Sequence, residues 1–187
     1  STNMVCSLLS AGQYLKGDFV MGYGDIVYNP GVFKSLLEGA GDISVVVDRN
    51  WQSYWERRTN DVLSDAESLQ VNERGRITSI GQKVSSIREI QGQYIGLVFF
   101  RNAGWAAATA LIDKEREANK ASQQVISSVR PLAKLYMTDL LQGLINTGAD
   151  IRPVWIEGGW LEIDSPSDLK LAEDLTAIDR GLLSVKR

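Results

Sequence analysis

The sequence predicts a single α/β domain in which helices cover a central sheet. Apolar runs of strand length alternate with helix-like segments along all 187 residues, and such alternation is typical of layered α/β proteins. Residues 43–47 form an almost fully apolar, β-branched run between Asp42 and Asp48, which indicates a strand buried on both faces. Because the chain contains no internal repeat and no low-complexity linker, we expect residues 1–187 to form one domain.

Periodicity, caps and turn residues give the order of elements in the first half. Asn29 and Pro30 mark a helix start, Gly39 a helix end and Gly75 a hairpin turn. The predicted segments are a helix over 4–15, a strand over 18–23, a helix over 30–38, the buried strand over 43–47, a helix over 51–58, a polar loop over 61–71 and a strand over 76–80.

The second half continues the alternation. Ser165, Pro166 and Asp168 supply an N-cap, a first-turn proline and a capping-box acid, so a last helix begins there. The segments before it are a strand over 94–100, a helix over 102–126 with a possible interruption, a break at Pro131, a helix over 140–145 stopped by Gly148 and a strand over 151–156.

Histidine is absent from the chain, which removes several kinds of chemistry. No Ser-His or Cys-His nucleophile pair, no imidazole base and no His-ligated zinc site can form. Cys6 is the single cysteine and cannot form an internal disulfide. A net charge of -3 with scattered basic residues disfavours nucleic-acid binding, and no apolar run approaches the roughly 20 residues of a membrane-spanning helix. These features favour a cytoplasmic protein that binds neither nucleic acid nor membrane.

Two aspartates stand where an apolar strand ends and a capped helix begins. They are Asp25 in GYGDIVYNP and Asp164 in GGWLEIDSPSDL. Ligands of open α/β sheets bind beyond the carboxyl ends of the strands, so both carboxylates can converge on one metal-assisted site. The alternative is that each aspartate only caps a helix or a turn; for Asp164 this is weakened because Ser165 already provides the cap.

The remaining residue types favour phosphoryl-type chemistry. Magnesium prefers one or two carboxylates together with substrate phosphates, which two separated aspartates would supply. A nucleophile that is already an anion needs no general base. Attack of a phosphate or phosphonate oxygen on a nucleotide phosphorus fits this restriction, because positioning and charge neutralisation carry most of such a transfer.

Six ordered blocks spread over nearly the whole chain resemble one family. They are STNMVCSLLSA, GDFVMGYGDIVYNPGVFKSLLE, ISVVVDRNW, GQYIGLVFF, YMTDLLQGLI and GGWLEIDSPSDL. The chain resembles the nucleotidyltransferases of the phosphocholine and phosphonate cytidylyltransferase type, within the sugar-nucleotide pyrophosphorylase-like superfamily. The resemblance implies a three-layer, glycosyltransferase-A-like fold with a mixed central sheet. It also implies magnesium as cofactor, CTP as nucleotide, and a phosphorylated or phosphonate acceptor such as phosphocholine or 2-aminoethylphosphonate.

The same resemblance assigns roles to individual residues. Asp25 and Asp164 match the catalytic carboxylates that hold the magnesium ion. The other implied contacts are Asn3, Ser7 and Gly24 on the nucleotide side, and Tyr136, Thr138, Asp139, Trp160 and Glu162 on the acceptor side. Trp160 is alternatively a packing residue. Thr138 and Asp139 alternatively cap, and offset the dipole of, a helix that begins at Asp139.

The family's N-terminal strand and glycine-rich loop have no counterpart in this sequence. We therefore expect an N-terminally truncated member, whose sheet would expose a strand edge. This raises an alternative function, that of a catalytically silent binding or oligomerisation module which pairs as a homodimer. A third alternative keeps the fold but takes a sugar 1-phosphate or an inositol phosphate as acceptor; the resemblance of the WLEID block favours the choline and phosphonate branch.

Overall fold

The structure is a computed structural model that describes residues 3–127 and 129–183, so the first two residues of the STNMVCSLLSA block lie outside it. The described helices and strands are, in chain order, α1 (Met4–Ser10), β1 (Phe19–Gly22), β2 (Ile26–Tyr28), α2 (Pro30–Leu37), β3 (Ile43–Asp48), α3 (Trp51–Arg58), β4 (Glu67–Val71), β5 (Ile77–Lys83), β6 (Gln93–Phe100), α4 (Asn102–Lys120), α5 (Met137–Asn146), β7 (Ile151–Ile156), β8 (Trp160–Glu162) and α6 (Pro166–Ile178).

A mixed four-stranded sheet with the order β1-β6-β3-β7 forms the centre of the protein. Strands β3 and β7 run parallel, whereas β6 is antiparallel to both β1 and β3. All six residues of β3 are buried, as its β-branched composition predicts for a strand covered on both faces. The predicted α/β class and mixed central sheet are confirmed.

Successive side chains along each strand of the central sheet point to opposite faces, and each face packs in its own hydrophobic core. Val45 and Val98 pack with helices α1, α4 and α5, whereas Val46 and Leu97 pack with α2 and α3. The period of two along each strand produces this separation. The result is three layers, with helices on both sides of the sheet.

Two small sheets lie outside the central one. Strands β2 and β8 pair antiparallel, and β4 pairs with β5 in a hairpin. The turn of the hairpin contains Gly75, whose φ of 71° is in the left-handed region that glycine favours. The predicted hairpin turn is therefore confirmed.

Several sequence-based assignments were wrong, among them the helix predicted over 4–15, which ends at Ser10. Residues 61–71, predicted as a polar loop, contain β4, because pairing with β5 and burial of Leu69 to 1% exposure offset a weak local strand signal. The long helix ends at Lys120, not at residue 126. The chain turns back there, and the buried Glu115 carboxylate accepts hydrogen bonds from the Val125 and Ile126 amides at 2.6 and 2.8 Å.

None of the helices in the described part of the chain is both long enough and apolar enough to cross a membrane.

Candidate active site

The β2–β8 ladder brings the two predicted catalytic aspartates to the same end of a small sheet. Ile26 pairs with Glu162, and at the next rung the Ile163 amide donates to the Asp25 carbonyl at 2.8 Å. Asp164 follows one residue later. Burial raises the pKa of Glu162, and the charges of Asp164 and Asp25 raise it further against the opposing effect of Arg58. Three acidic side chains therefore share one electrostatic environment.

Two cavities adjoin at this point. The larger one measures about 480 Å³ and is walled mainly by apolar residues of α1 and β1, with Gly24 and Asp25 at one side. The smaller one measures about 230 Å³ and includes Glu162 and Asp164 in its wall. Met4 and Tyr23 line both cavities, so the two spaces are neighbours with one predicted metal ligand in each wall.

The smaller cavity, which we call the acidic cavity, has a distinctive lining. No Lys or Arg among the described residues contributes to its wall. Its remaining members are Met4, Gln93 and Thr138, four carboxylates and four aromatic side chains: Asp65, Glu67, Glu162 and Asp164, and Tyr23, Trp55, Tyr94 and Tyr136. A wall of this composition attracts positive charge. Two of its rings already have a guanidinium over them, Arg58 over Trp55 at 5.3 Å and Arg130 over Tyr136 at 4.3 Å, so Tyr23 and Tyr94 are the rings left for a ligand.

Arg58, the last residue of α3, holds the carboxylates of the site in place. Its guanidinium pairs with Glu162 at 2.5 Å, with Asp164 at 2.9 Å and with Asp168 at 3.1 Å. The side chain is only 8% exposed, and it lies over the ring of Trp55 at 5.3 Å. Although its burial disfavours the charged form, hydrogen bonds and charge from Asp168 and Glu162 raise the pKa of Arg58. A planar donor fork of this kind fixes several carboxylates at once.

No protein-family model matches the chain. It is, however, 31% identical over 176 residues to the CTP:phosphoglutamine cytidylyltransferase of Campylobacter jejuni, and the alignment covers 91% of this chain and 67% of that relative. The chain belongs to the cytidylyltransferase-type nucleotidyltransferases. The family predicted from the six ordered sequence blocks is thus confirmed.

A solved structure supports the fold of this family member. The inositol-1-phosphate CTP transferase from T. maritima matches with a TM-score of 0.60 at 19% identity, over 96% of this chain and 64% of that one. The three-layer nucleotidyltransferase fold is therefore confirmed. The chain spans about two thirds of the length of these two proteins.

Most of the residues predicted for this cytidylyltransferase-type site line the two cavities. Ser7, Gly24 and Asp25 contribute to the larger cavity. Tyr136, Thr138, Glu162 and Asp164 contribute to the acidic cavity. Among these seven residues, Ser7, Gly24 and Asp25 thus lie in one cavity wall and the other four in the second, and Met4 and Tyr23 line both cavities.

Three predicted residues lie elsewhere and make structural contacts. Asn3 caps α1 by accepting a hydrogen bond from the Met4 amide at 3.0 Å. Asp139 accepts from the Tyr136 amide at 2.8 Å and pairs with Arg130 at 2.8 Å. Because α5 begins at Met137, Asp139 supports its first turn, whereas Thr138 lies inside the helix and is not its cap.

Trp160 is the third of these residues. It is 3% exposed and packs between Tyr54 and Trp55, and its indole N–H donates to Asp48 at 2.9 Å. The Asp48 carboxylate also accepts from the Asn50 and Gly158 amides, both at 2.9 Å. Asp48, the last residue of β3, therefore anchors two loops and the tryptophan of β8.

Sequence reasoning missed Arg58, Glu67, Trp55 and Tyr23. A signal for the helix was present, because Trp51, Trp55 and Arg58 recur at spacings of four and three residues and so share one face of α3. No comparable signal existed for Glu67, which lies in the strand assigned to a loop. Burial raises the pKa of Tyr23, and the nearby charges of Glu67 and Asp25 raise it further. These surroundings form only in the folded protein, so the sequence held no signal for Tyr23.

The carboxylates suit a hard cation that brings other ligands with it. Within residues 3–127 and 129–183, no group of three or more potential metal-ligating side chains is already assembled. Asp25 and Asp164, at adjoining cavity walls, are the residues that would hold a magnesium ion whose remaining ligands are water and phosphate oxygens.

Proposed function

We propose that this chain transfers a cytidylyl group from CTP to a small phosphate or phosphonate that carries a cationic nitrogen, such as phosphocholine or 2-aminoethylphosphonate, and releases pyrophosphate. The observation that supports this acceptor class is the acidic cavity beside Asp25 and Asp164, with four carboxylates, four aromatic rings and no basic residue of the described chain in its wall.

Two kinds of interaction would stabilise an ammonium group bound in the acidic cavity. Carboxylates supply direct charge attraction, and aromatic faces attract cations by about 0.5–2 kcal/mol each when they are partly desolvated. The relatives are named for phosphoglutamine and for inositol 1-phosphate. An amino acid such as glutamine carries an ammonium group beside its carboxylate, whereas inositol carries no cation. The charge of the acidic cavity therefore favours an acceptor with an ammonium group over inositol 1-phosphate.

We assign the larger cavity to the nucleotide, with Ser7 and Gly24 in its wall. Asp25 and Asp164 would hold a magnesium ion between the cavities. The ion would neutralise charge on the nucleotide phosphates during transfer. The local charge supports this assignment. The single positive charge of Arg58 offsets only one of the three carboxylates that it contacts, so the group keeps a net negative charge that attracts a metal cation.

The reaction requires no protein base. The acceptor oxygen is already anionic at neutral pH and attacks the α-phosphorus of CTP, while the bond from that phosphorus to the pyrophosphate leaving group breaks. The protein residues contribute orientation and charge stabilisation, which are the main terms in such transfers. Histidine is accordingly dispensable for this chemistry.

The decisive experiment measures magnesium-dependent pyrophosphate release from CTP with phosphocholine or 2-aminoethylphosphonate as acceptor. We expect release by the native chain and a loss of at least about a hundredfold in Asp164→Asn, which preserves size but weakens one metal ligand. Asp113→Asn is the matched control, because Asp113 is a surface residue of α4 with 67% side-chain exposure. Near-normal turnover in Asp164→Asn would remove Asp164 from the site.

A further inference from the structure

Glu67 has its carboxylate in the wall of the acidic cavity without a partner. It is the first residue of β4 and is partly buried. Among the described residues, none forms a hydrogen bond or an ion pair with this carboxylate. Lys83 opposes it in the β4–β5 ladder but is an exposed residue at the outer end of β5 and forms no ion pair with it.

An unpaired acid in this position is costly for the fold. Burial raises the pKa of Glu67, and the charges of Asp139 and Asp65 raise it further, while Arg130 acts in the opposite direction. Buried carboxylates normally have a counter-charge, since removal from water penalises the ionised form. Packing does not explain Glu67, and a carboxylate with these properties in a cavity is characteristic of a ligand site.

Two further polar groups in the same wall also have no partner in the described chain. The buried indole Nε1 of Trp55 and the buried Oε1 of Gln93 form no hydrogen bond, although both residues are at least 94% buried, with exposures of 4% and 6%. Buried polar atoms of native proteins are nearly always paired. Their position in the acidic cavity wall is an independent indication that a polar ligand completes this site.

Aromatic rings complete the surroundings of Glu67. Tyr23 and Tyr94 meet edge to face with ring centroids 5.8 Å apart, and the Glu67 charge contributes to the raised pKa of both phenols. The carboxylate is therefore electrostatically coupled to two tyrosines of the cavity wall. Carboxylate and aromatic faces together are the groups that recognise an organic ammonium ion.

We propose that Glu67 is the counter-ion of the acceptor's ammonium group and that it determines the preference of this chain for cationic acceptors. The proposal rests on the function proposed above, and it adds the residue that selects the acceptor. Glu67 would act in binding and not in the transfer step, because Asp25 and Asp164 are the carboxylates assigned to the nucleotide phosphates.

The test compares Glu67→Gln with the native chain by calorimetric titration of two acceptors. The first is phosphocholine, and the second is 3,3-dimethylbutyl phosphate, which has the same shape but no positive charge. In the native chain we expect phosphocholine to bind at least about tenfold more tightly. In Glu67→Gln this preference should largely disappear, through weaker binding of phosphocholine and little change for the neutral analogue.

Two controls separate recognition from folding. Asp65→Asn removes a second carboxylate of the same wall that is exposed to solvent, so its effect on phosphocholine should be several-fold smaller. CTP binding with magnesium should be the same in Glu67→Gln and in the native chain. Because the substitution replaces an unpaired acid by a neutral amide of similar size, we expect the variant to fold.

The outcomes distinguish this proposal from the proposed function. Unchanged selectivity in Glu67→Gln would overturn the role of Glu67 and leave the cationic acceptor class standing. Equal binding of the charged and neutral acceptors by the native chain would overturn both the acceptor class and the role of Glu67. Loss of CTP binding in the variant would show that Glu67 supports the whole site and does not select the acceptor.

Discussion

Arg58 connects helix α3 to the acidic segment that runs from the end of β8 into α6. Its three ion pairs join residues more than a hundred positions apart in the sequence, Glu162, Asp164 and Asp168. Only one carboxylate oxygen of Asp164 contacts the guanidinium, and the side chain remains 53% exposed. Arg58 can thus orient Asp164 while leaving it accessible to a ligand.

We expect Arg58→Met to be strongly destabilising. It would leave the carboxylates of Glu162 and Asp168 without a counter-charge, and breaking a buried pair in this way costs about 3–5 kcal/mol. Urea unfolding would measure the change. Arg57→Met, at an exposed position of the same helix, should change the free energy of unfolding by less than about 0.5 kcal/mol.

Arg58→Lys tests positioning more specifically. Lysine retains the positive charge but cannot reach three carboxylates with one planar fork. We expect a folded protein with a lower kcat and a higher magnesium requirement, and a nearly unchanged affinity for CTP. A full return of native kinetics in the lysine variant would show that charge alone, and not geometry, is what Arg58 supplies.

Glu67 also leads to a prediction about stability and pH. The pKa of Glu67 in the folded protein is raised above its ordinary value, so its contribution to stability is present at low pH and is lost as the pH rises through the raised pKa. Native protein should therefore be less stable than Glu67→Gln at neutral pH, and the difference should shrink below the unfolded carboxyl pKa of about 4.3. Thermal unfolding of both proteins between pH 4 and pH 8 would measure it; a constant difference would contradict the prediction.

At the scale of elements, the β4–β5 hairpin closes the acidic cavity against α5. Gly81 of β5 adopts a φ of 74°, and a Cβ at this position would collide with the side chain of Thr138. Close approach of the hairpin to the helix therefore requires glycine. Thr138 lines the acidic cavity, so the packing of these two elements sets the shape of the proposed acceptor site.

We expect Gly81→Ala to lower the free energy of unfolding by about 1–3 kcal/mol more than Gly17→Ala does. Gly17 has a similar φ of 78° but no atom within 4 Å of an added Cβ, so it controls for the conformational cost alone. Denaturant titration measures both variants. Equal losses would show that the contact with Thr138 is not tight.

Strand β8 carries the WLEID motif, but not every residue of that motif lines the acidic cavity. The segment WLEID places Glu162 and Asp164 at the acidic cavity, whereas Trp160 faces the core and its indole N–H donates to Asp48.

We expect Trp160→Phe to lower the free energy of unfolding by about 1–3 kcal/mol, because the buried Asp48 carboxylate loses a hydrogen-bond donor. Acceptor selectivity in a titration with phosphocholine and 2-aminoethylphosphonate should stay unchanged; a selective loss for phosphocholine would instead place Trp160 at the acceptor.

At the scale of the whole molecule, the proposed site forms where separate layers meet. The larger cavity is bounded by α1 and β1, and the acidic cavity by α3, β4, β6, α5 and β8. A ligand that occupies both spaces would connect elements from both hydrophobic cores. Binding should therefore stabilise the entire fold and not one local segment.

We expect CTP with magnesium to raise the Tm of the protein, and EDTA to remove this effect. A ligand at about one hundred times its Kd stabilises the native state by about 2.7 kcal/mol. Differential scanning fluorimetry on residues 1–187, and on any longer product of the same gene, measures the shift. Stabilisation by CTP that persists in EDTA would contradict a magnesium-dependent site.

The fold class, the order of most elements and the family could be predicted from the amino-acid sequence alone. Uniform apolar character identified β3, and the Ser165 cap identified the start of α6, because these signals are local and depend on neighbouring residues only. The same local patterns identified Asp25 and Asp164 as acids at element boundaries. Strand β4 was missed because its pairing with β5, and not its composition, makes it a strand.

The grouping of residues around the two cavities could not be predicted in this way. Only folding brings Arg58 to Asp164, places Glu67 beside Tyr23 and Tyr94, and directs Trp160 into the core instead of the cavity. These relations depend on chain segments that are distant in sequence. Burial and the pairing of charges are properties of three-dimensional surroundings, and no local sequence pattern encodes them.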